Sequence, residues 1–143
     1  MDKIKDLIKE NELELSTLIV FTRAEHTIHK KEFKTIKESG LTIAQFGVLE
    51  ALYNKGDLRI CEIIEKILTT SGNIKNLEKD GLVKKNSDPE DKRSCIISLT
   101  DEGRKVIENI LPNHINNIRN IFEVLTDEEK ITLKNILKKF KNV

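Results

Sequence analysis

The sequence is poor in the residues that build rigid or reactive small folds: two cysteines, two prolines and six glycines stand among 143 residues. Cys61 and Cys95 lie far apart in sequence, with no CxxC and no Cys/His cluster, which excludes a disulfide framework and a zinc site. Buried or semi-buried thiols are the expectation for both. No linker rich in glycine, proline or serine divides the chain, and no internal repeat is present, so one domain is expected, with 38% apolar residues to fill its core. Long apolar runs are absent as well. The stretch from Leu18 to Phe21 is too short for a signal-peptide core or a membrane span, which implies a cytoplasmic protein without membrane contact. There is no surplus of one charge: 25 basic residues face 24 acidic ones, so affinity for a polyanion has to come from local placement of cations. Catalytic signatures are missing too. No glycine-rich phosphate loop, nucleophile elbow or paired-carboxylate motif occurs, and three scattered histidines do not make a triad, so no enzymatic role and no cofactor are expected.

What is present is mostly helical periodicity. Ile4, Leu7, Ile8, Leu15, Leu18, Ile19, Ile28 and Ile36 recur at helical spacing with no proline or glycine before Gly40, predicting one long helix or two joined near Glu32. Thr42 and Gln45 form a capping box for a second helix, with Phe46, Leu49, Leu52 and Tyr53 on its buried stripe and Gly56 as its stop. Leu58 suits a very short strand. Ile60, Ile63, Ile64 and Ile67 mark a third, short helix, and Thr69, Thr70 and Ser71 offer the next N-cap. A fourth helix over residues 71–80 turns Ile74 and Leu77 inward and stops at Gly81. Residues 82–85 and 94–99 then read as two strands of a hairpin around a turn-prone, charged tip. Thr100 caps a further helix lined by Val106, Ile107, Ile110, Leu111, Ile115, Ile118, Ile121 and Phe122, which Pro112 is expected to bend. Thr126 with Glu129 opens the last helix, whose inner face holds Ile131, Leu133, Ile136, Leu137 and Phe140.

Three helices followed by a hairpin make a winged helix-turn-helix: a mainly α fold with a small β-hairpin wing. The expected organisation is a DNA-binding lobe over residues 42–100, flanked by dimerisation helices over 1–38 and 104–143. The terminal stripes carry more apolar length than one small trihelical core covers, which favours burial in a second copy. Two reading helices about 34 Å apart would then fit a pseudo-palindromic site in double-stranded DNA. Thr70, Ser71, Asn73, Lys75 and Asn76 lie near the start of the fourth helix, where polar groups reach phosphates and base edges, although Thr70 or Ser71 alone would also serve as a cap. In the tip, Lys92 and Arg93 suit the narrow minor groove, with Asp91 placed to hold Arg93. Taken alone, Asp88, Glu90 and Asp91 would make the tip an ordinary solvated turn. Lys84 and Lys85, with Lys75 and Lys92, would neutralise phosphates. His26 and His29 share a helical face with Glu25 and Glu32, but further ligands are not evident and no metal is expected. Arg23, His26 and Tyr53 form instead a candidate pocket for a small-molecule effector.

The segments DPEDKRSCIISLTDEG, LTIAQFGVLEAL and NLEKDGLV together resemble the MarR family of transcription regulators, and the resemblance spans nearly the whole chain. Asp91, Arg93, Leu99, Thr100 and Gly103 match that family's wing signature. The resemblance implies a homodimer joined through its terminal helices, a repressor controlled by a small ligand or by cysteine oxidation; Cys95, on the wing, is the candidate redox residue. The alternative is a winged-helix module that binds protein rather than DNA. One departure stands out: about one helical turn fewer lies between TTSGN and IKNLEKDGL than in the family pattern. Either the short recognition helix is native and alters DNA binding, or the sequence lacks a turn of the natural chain near Asn73; the otherwise intact pattern favours the second.

Overall fold

The computed structural model describes residues 2–67 and 71–140, with Ser71 described by its backbone alone. The chain opens with two helices, α1 (Lys3–Glu10) and α2 (Glu12–Glu38), separated at Asn11. The Asn11 side chain donates to the carbonyl of Leu7 at 2.8 Å, and its backbone departs from helical geometry at φ −114°, ψ 25°. A side-chain amide bonded back to the preceding turn competes with helix continuation. The expected junction near Glu32 does not exist; α2 runs through it unbroken.

Helix α3 (Ile43–Lys55) begins with the anticipated capping box: Gln45 N–H donates to Thr42 Oγ1 at 3.1 Å, and Thr42 N–H to Gln45 Oε1 at 3.0 Å. It ends at Gly56, whose φ of 79° belongs to the left-handed region that favours glycine. A two-residue strand β1 (Leu58–Arg59) runs into α4 (Ile60–Ile67), and α5 (Ser71–Lys79) follows. Strands β2 (Val83–Ser87) and β3 (Cys95–Leu99) pair antiparallel, Val83 opposite Leu99 and Ser87 opposite Cys95. β1 pairs with the free edge of β3, so the sheet order is β1-β3-β2 and the hairpin becomes a three-stranded sheet. Helix α6 (Asp101–Ile121) continues through Pro112, a 3-10 turn spans Phe122–Val124, and α7 (Asp127–Leu137) opens with the Thr126/Glu129 capping box.

The core forms where the lobe meets the long helices. Phe46, Leu49 and Leu52 of α3, Ile63 of α4, Ile74 and Leu77 of α5, Val83 of β2 and Ile97 of β3 are buried together with Ile36 of α2 and Ile107 of α6. Each such side chain contributes about 1.5–3 kcal/mol on burial. Polar contacts reinforce the α2–α6 seam: Asn117 Nδ2 donates to the carbonyl of Lys31 at 2.8 Å, and Thr35 Oγ1 lies 3.1 Å from Nδ1 of the buried His114. His114 also meets the ring of Phe46 edge-on at 4.7 Å, which ties the seam to α3.

The start of α6 is welded to the start of β2. Thr100 N–H donates to the carbonyl of Leu82 at 3.1 Å, Thr100 Oγ1 to that of Gly81 at 2.7 Å, and Gly103 N–H to Thr100 Oγ1 at 3.0 Å. A Cβ on Gly103 would overlap the carbonyl oxygen of Leu82, so glycine is what lets helix and strand approach. Away from this core most apolar side chains of α1, the first half of α2 and α7 stay exposed, among them Leu7, Leu18, Phe21 and Ile131; Phe140, expected on the inner face of the last helix, lies beyond its end at Leu137 and is exposed. No described helix is long and apolar enough to cross a membrane.

Candidate nucleic-acid interface

Helix α5 turns Ile74 and Leu77 into the core and leaves Lys75 and Asn76 exposed between them, with Asn73 half-buried. The three-residue spacing of the apolar pair dictates this, because residues three and four apart share a helical face. As described, α5 is nine residues long, about 13 Å. Thr70 lies outside the described residues, and so does the side chain of Ser71.

The wing adds four cations. Lys84 and Lys85 are exposed on β2, and Lys92 and Arg93 are exposed at the tip. Among the described residues, no carboxylate pairs with any of these four or with Lys75. Unneutralised cations on α5 and on the wing of one lobe give a local positive surface in a chain of near-zero net charge.

The acidic residues of the tip behave differently from the expectation. Asp91 accepts a hydrogen bond from the backbone N–H of Arg93 at 3.0 Å; it shapes the loop and leaves the guanidinium free. Asp88 is not a solvated tip charge. Its side chain is 3% exposed, and Oδ2 stands 2.9 Å from Nε of Arg59 on β1. The approach is off the N–H axis, so the contact is an ion pair and not a directed hydrogen bond. Oδ1 accepts from the N–H of Glu90 at 3.0 Å. The Asp88-Pro89 dipeptide marks a turn in sequence. Nothing local marks Arg59 as its partner, because the two meet only through the β1–β3 pairing.

The candidate effector residues do not converge within the chain. Tyr53 Oη donates to Glu108 of α6 at 3.2 Å, and Arg104 lies over its ring at 5.5 Å. Arg23 and His26 are exposed on α2, beyond the Lys31–Asn117 contact and in the opposite direction. At about 1.5 Å per residue this sets them about 20–25 Å from Tyr53 along the helix pair. His29 is occupied: Nδ1 lies 2.9 Å from Glu32, Nε2 3.7 Å from Glu25, and its ring stacks on Phe33 at 5.1 Å. No grouping of three or more potential metal ligands occurs among the described residues. An open cleft of about 390 Å3 does lie on the α2–α6 seam, lined by Thr35, Glu38 and Ser39 from one side and Val106, Asn109, Ile110 and Asn113 from the other. Both cysteines are free. Cys95 is half-buried on β3, whereas Cys61 is exposed on α4, contrary to the expectation of a sheltered thiol; it occupies an outward position beside the buried Ile63.

Comparison with known proteins agrees with this geometry. The family model "Transcriptional regulator SarA/Rot" matches residues 31–110. YkoM, an HTH-type transcriptional regulator of Bacillus subtilis, is 34% identical over 135 residues, covering 92% of this chain and 88% of the relative. Among solved structures, Sco3205 of Streptomyces coelicolor, a MarR family regulator in complex with DNA, superposes with a TM-score of 0.80 at 26% identity, over 89% of this chain and 84% of that one. BpsR of Bordetella bronchiseptica, whose DNA binding is regulated by 6-hydroxynicotinic acid, superposes with a TM-score of 0.75 at 26% identity, over 89% of this chain and 99% of that one. With its trihelical core, three-stranded wing and near full-length similarity to such regulators, the chain belongs to the MarR family of winged helix-turn-helix transcription regulators, to which the SarA/Rot regulators are related.

Proposed function

We propose that the protein is a homodimeric repressor that reads a pseudo-palindromic operator, with α5 in the major groove and the wing tip at the adjacent minor groove. The observation that carries the reading is the set of exposed, unneutralised cations on one lobe: Lys75 on α5, Lys84 and Lys85 on β2, Lys92 and Arg93 at the tip. Lysines neutralise phosphates and release counterions, which supplies affinity without sequence preference. Asn73 and Asn76 are the α5 side chains suited to base edges, since a carboxamide can both donate to and accept from adenine. Arg93 is the group with the reach and charge for a narrow minor groove.

The uncovered apolar faces of α1, α2 and α7 supply the dimer contact, placing two reading heads side by side. Control by a small molecule fits the α2–α6 cleft better than the dispersed Arg23, His26 and Tyr53. That cleft joins the dimer helix α2 to α6 close to where His114 touches α3, so an occupant would shift the lobes relative to each other.

A mobility-shift titration against the DNA upstream of the protein's own gene tests this. Binding is expected to weaken steeply with salt, and Arg93→Ala is expected to cost about 1 kcal/mol or more. No shift at low salt would favour a protein-binding winged helix instead.

A further inference from the structure

The wing tip has no apolar anchor. Residues 89–93 are all exposed, and the hydrogen bonds within the tip fold it only onto itself: Asp88 N–H to the carbonyl of Ser94, Ser94 N–H to that of Asp91, and the two turns accepted by the Asp88 and Asp91 carboxylates. Among the described residues, the side chain that ties the tip to the rest of the lobe is Arg59. It meets the buried Asp88 at 2.9 Å and, more loosely, the exposed Glu90 at 3.4 Å. Arg59 is the last residue of β1 and is followed directly by α4, so the link runs from the wing to the helix that precedes the reading helix.

We infer that the Arg59–Asp88 pair fixes the aim of the wing, making both of them positioning residues for the minor-groove contact of Arg93; the inference rests on the DNA-binding reading above. A carboxylate buried beside a guanidinium is held inward by the ion pair, which offsets the hydration it has lost, and removing one partner leaves the buried one uncompensated. With Asp88 inward, its Oδ1 holds the N–H of Glu90, and the turn that carries Asp91 and Arg93 leaves the sheet in one direction. Without the pair, the tip loses the closer of the two ion pairs that tie it, among the described residues, to the rest of the lobe, and Arg93 must be ordered at the moment of binding. That ordering cost is subtracted from the affinity.

Charge separates this role from simple attraction between Arg59 and a phosphate. Asp88→Asn removes a negative charge from a DNA-facing wing, so by electrostatics alone it would strengthen binding. A positioning role predicts the opposite. The probe is a duplex recovered from a random-sequence library by the wild-type protein, and affinity is measured together with dimethyl sulfate protection of adenine N3 and guanine N7. Asp88→Asn is expected to weaken binding by about tenfold, similar to Arg93→Ala. Minor-groove protection at adenine N3 should be lost while major-groove protection at guanine N7 stays. The double variant Asp88→Asn/Arg93→Ala should bind no worse than Arg93→Ala alone, because the first residue acts through the second. Amide exchange without DNA should quicken at residues 90–93 in Asp88→Asn and stay unchanged in α3 and α5.

Arg59→Gln, at a half-exposed side chain, repeats each measurement without a new group in the buried site, and Arg59→Lys should restore part of the affinity. Unchanged or tighter binding by Asp88→Asn, multiplying losses in the double variant, or unaltered exchange at 90–93 overturns the inference. If the wild-type protein retains no duplex, the proposed function fails, and the exchange measurement still decides whether the pair holds the tip.

Discussion

Single residues in this protein do their work by permitting or forbidding close approach. Gly103 is the clearest example: its missing side chain lets the first turn of α6 sit on the carbonyl of Leu82, where Thr100 closes the junction with two further hydrogen bonds. Gly103→Ala would have to push helix from strand, so we expect a loss of about 2 kcal/mol or more in urea unfolding, of the size seen for overpacked sites. Thr42 is a milder case. Its hydroxyl satisfies one orphan N–H of α3, and Thr42→Ala should cost about 1 kcal/mol in the same measurement. Legibility in sequence divides along the same line. The caps at Thr42, Thr100 and Thr126 are readable because the partner lies three residues away. The burial of Asp88 is not, since its partner Arg59 is remote in sequence and adjacent only after β1 pairs with β3.

At the scale of elements, α5 is the decisive piece. Its buried Ile74 and Leu77 hold it to the core while Lys75 and Asn76 face outward, a division that follows from helical period alone. Its exposed positions should separate by chemistry. Lys75→Ala is expected to weaken binding to all duplexes alike and to make the log-log salt dependence shallower by about 1, whereas Asn76→Ala should relax preference at one base pair. The described helix is short, nine residues. An intact mass several hundred daltons above that of the sequence would show that the natural chain carries another turn here. The break between α1 and α2 shows the limit of pattern reading at this scale. Asn11 ends α1 by bonding back to Leu7, yet it sits in a charged, helix-compatible stretch with no proline or glycine to mark it.

The whole molecule has one core and two unfinished faces. Burial is concentrated where α3, α4, α5 and the sheet meet Ile36 and Ile107, while Leu18 and Phe21 on α2, Ile131 on α7 and Phe140 just beyond it remain open to solvent. In the proposed dimer these faces are covered, so Leu18→Glu should shift the protein from dimer to monomer in sedimentation velocity and weaken operator binding with it, because the two lobes then bind independently. A dimer unaffected by that change would place the contact elsewhere.

The sequence by itself determined most of the helices, strands and turns, though not the break at Asn11, and that the lobe is a winged helix-turn-helix, because hydrophobic period, capping pairs and glycine stops act over three or four residues. Tertiary structure alone decided which charges remain available. It buried Asp88 against Arg59, turned Asp91 onto a backbone N–H, left Arg93 without a carboxylate partner among the described residues, and set Arg23 and His26 far from Tyr53. The physical reason is that an ion pair or a pocket depends on distances between residues far apart in the chain, and strand pairing and helix packing set those distances.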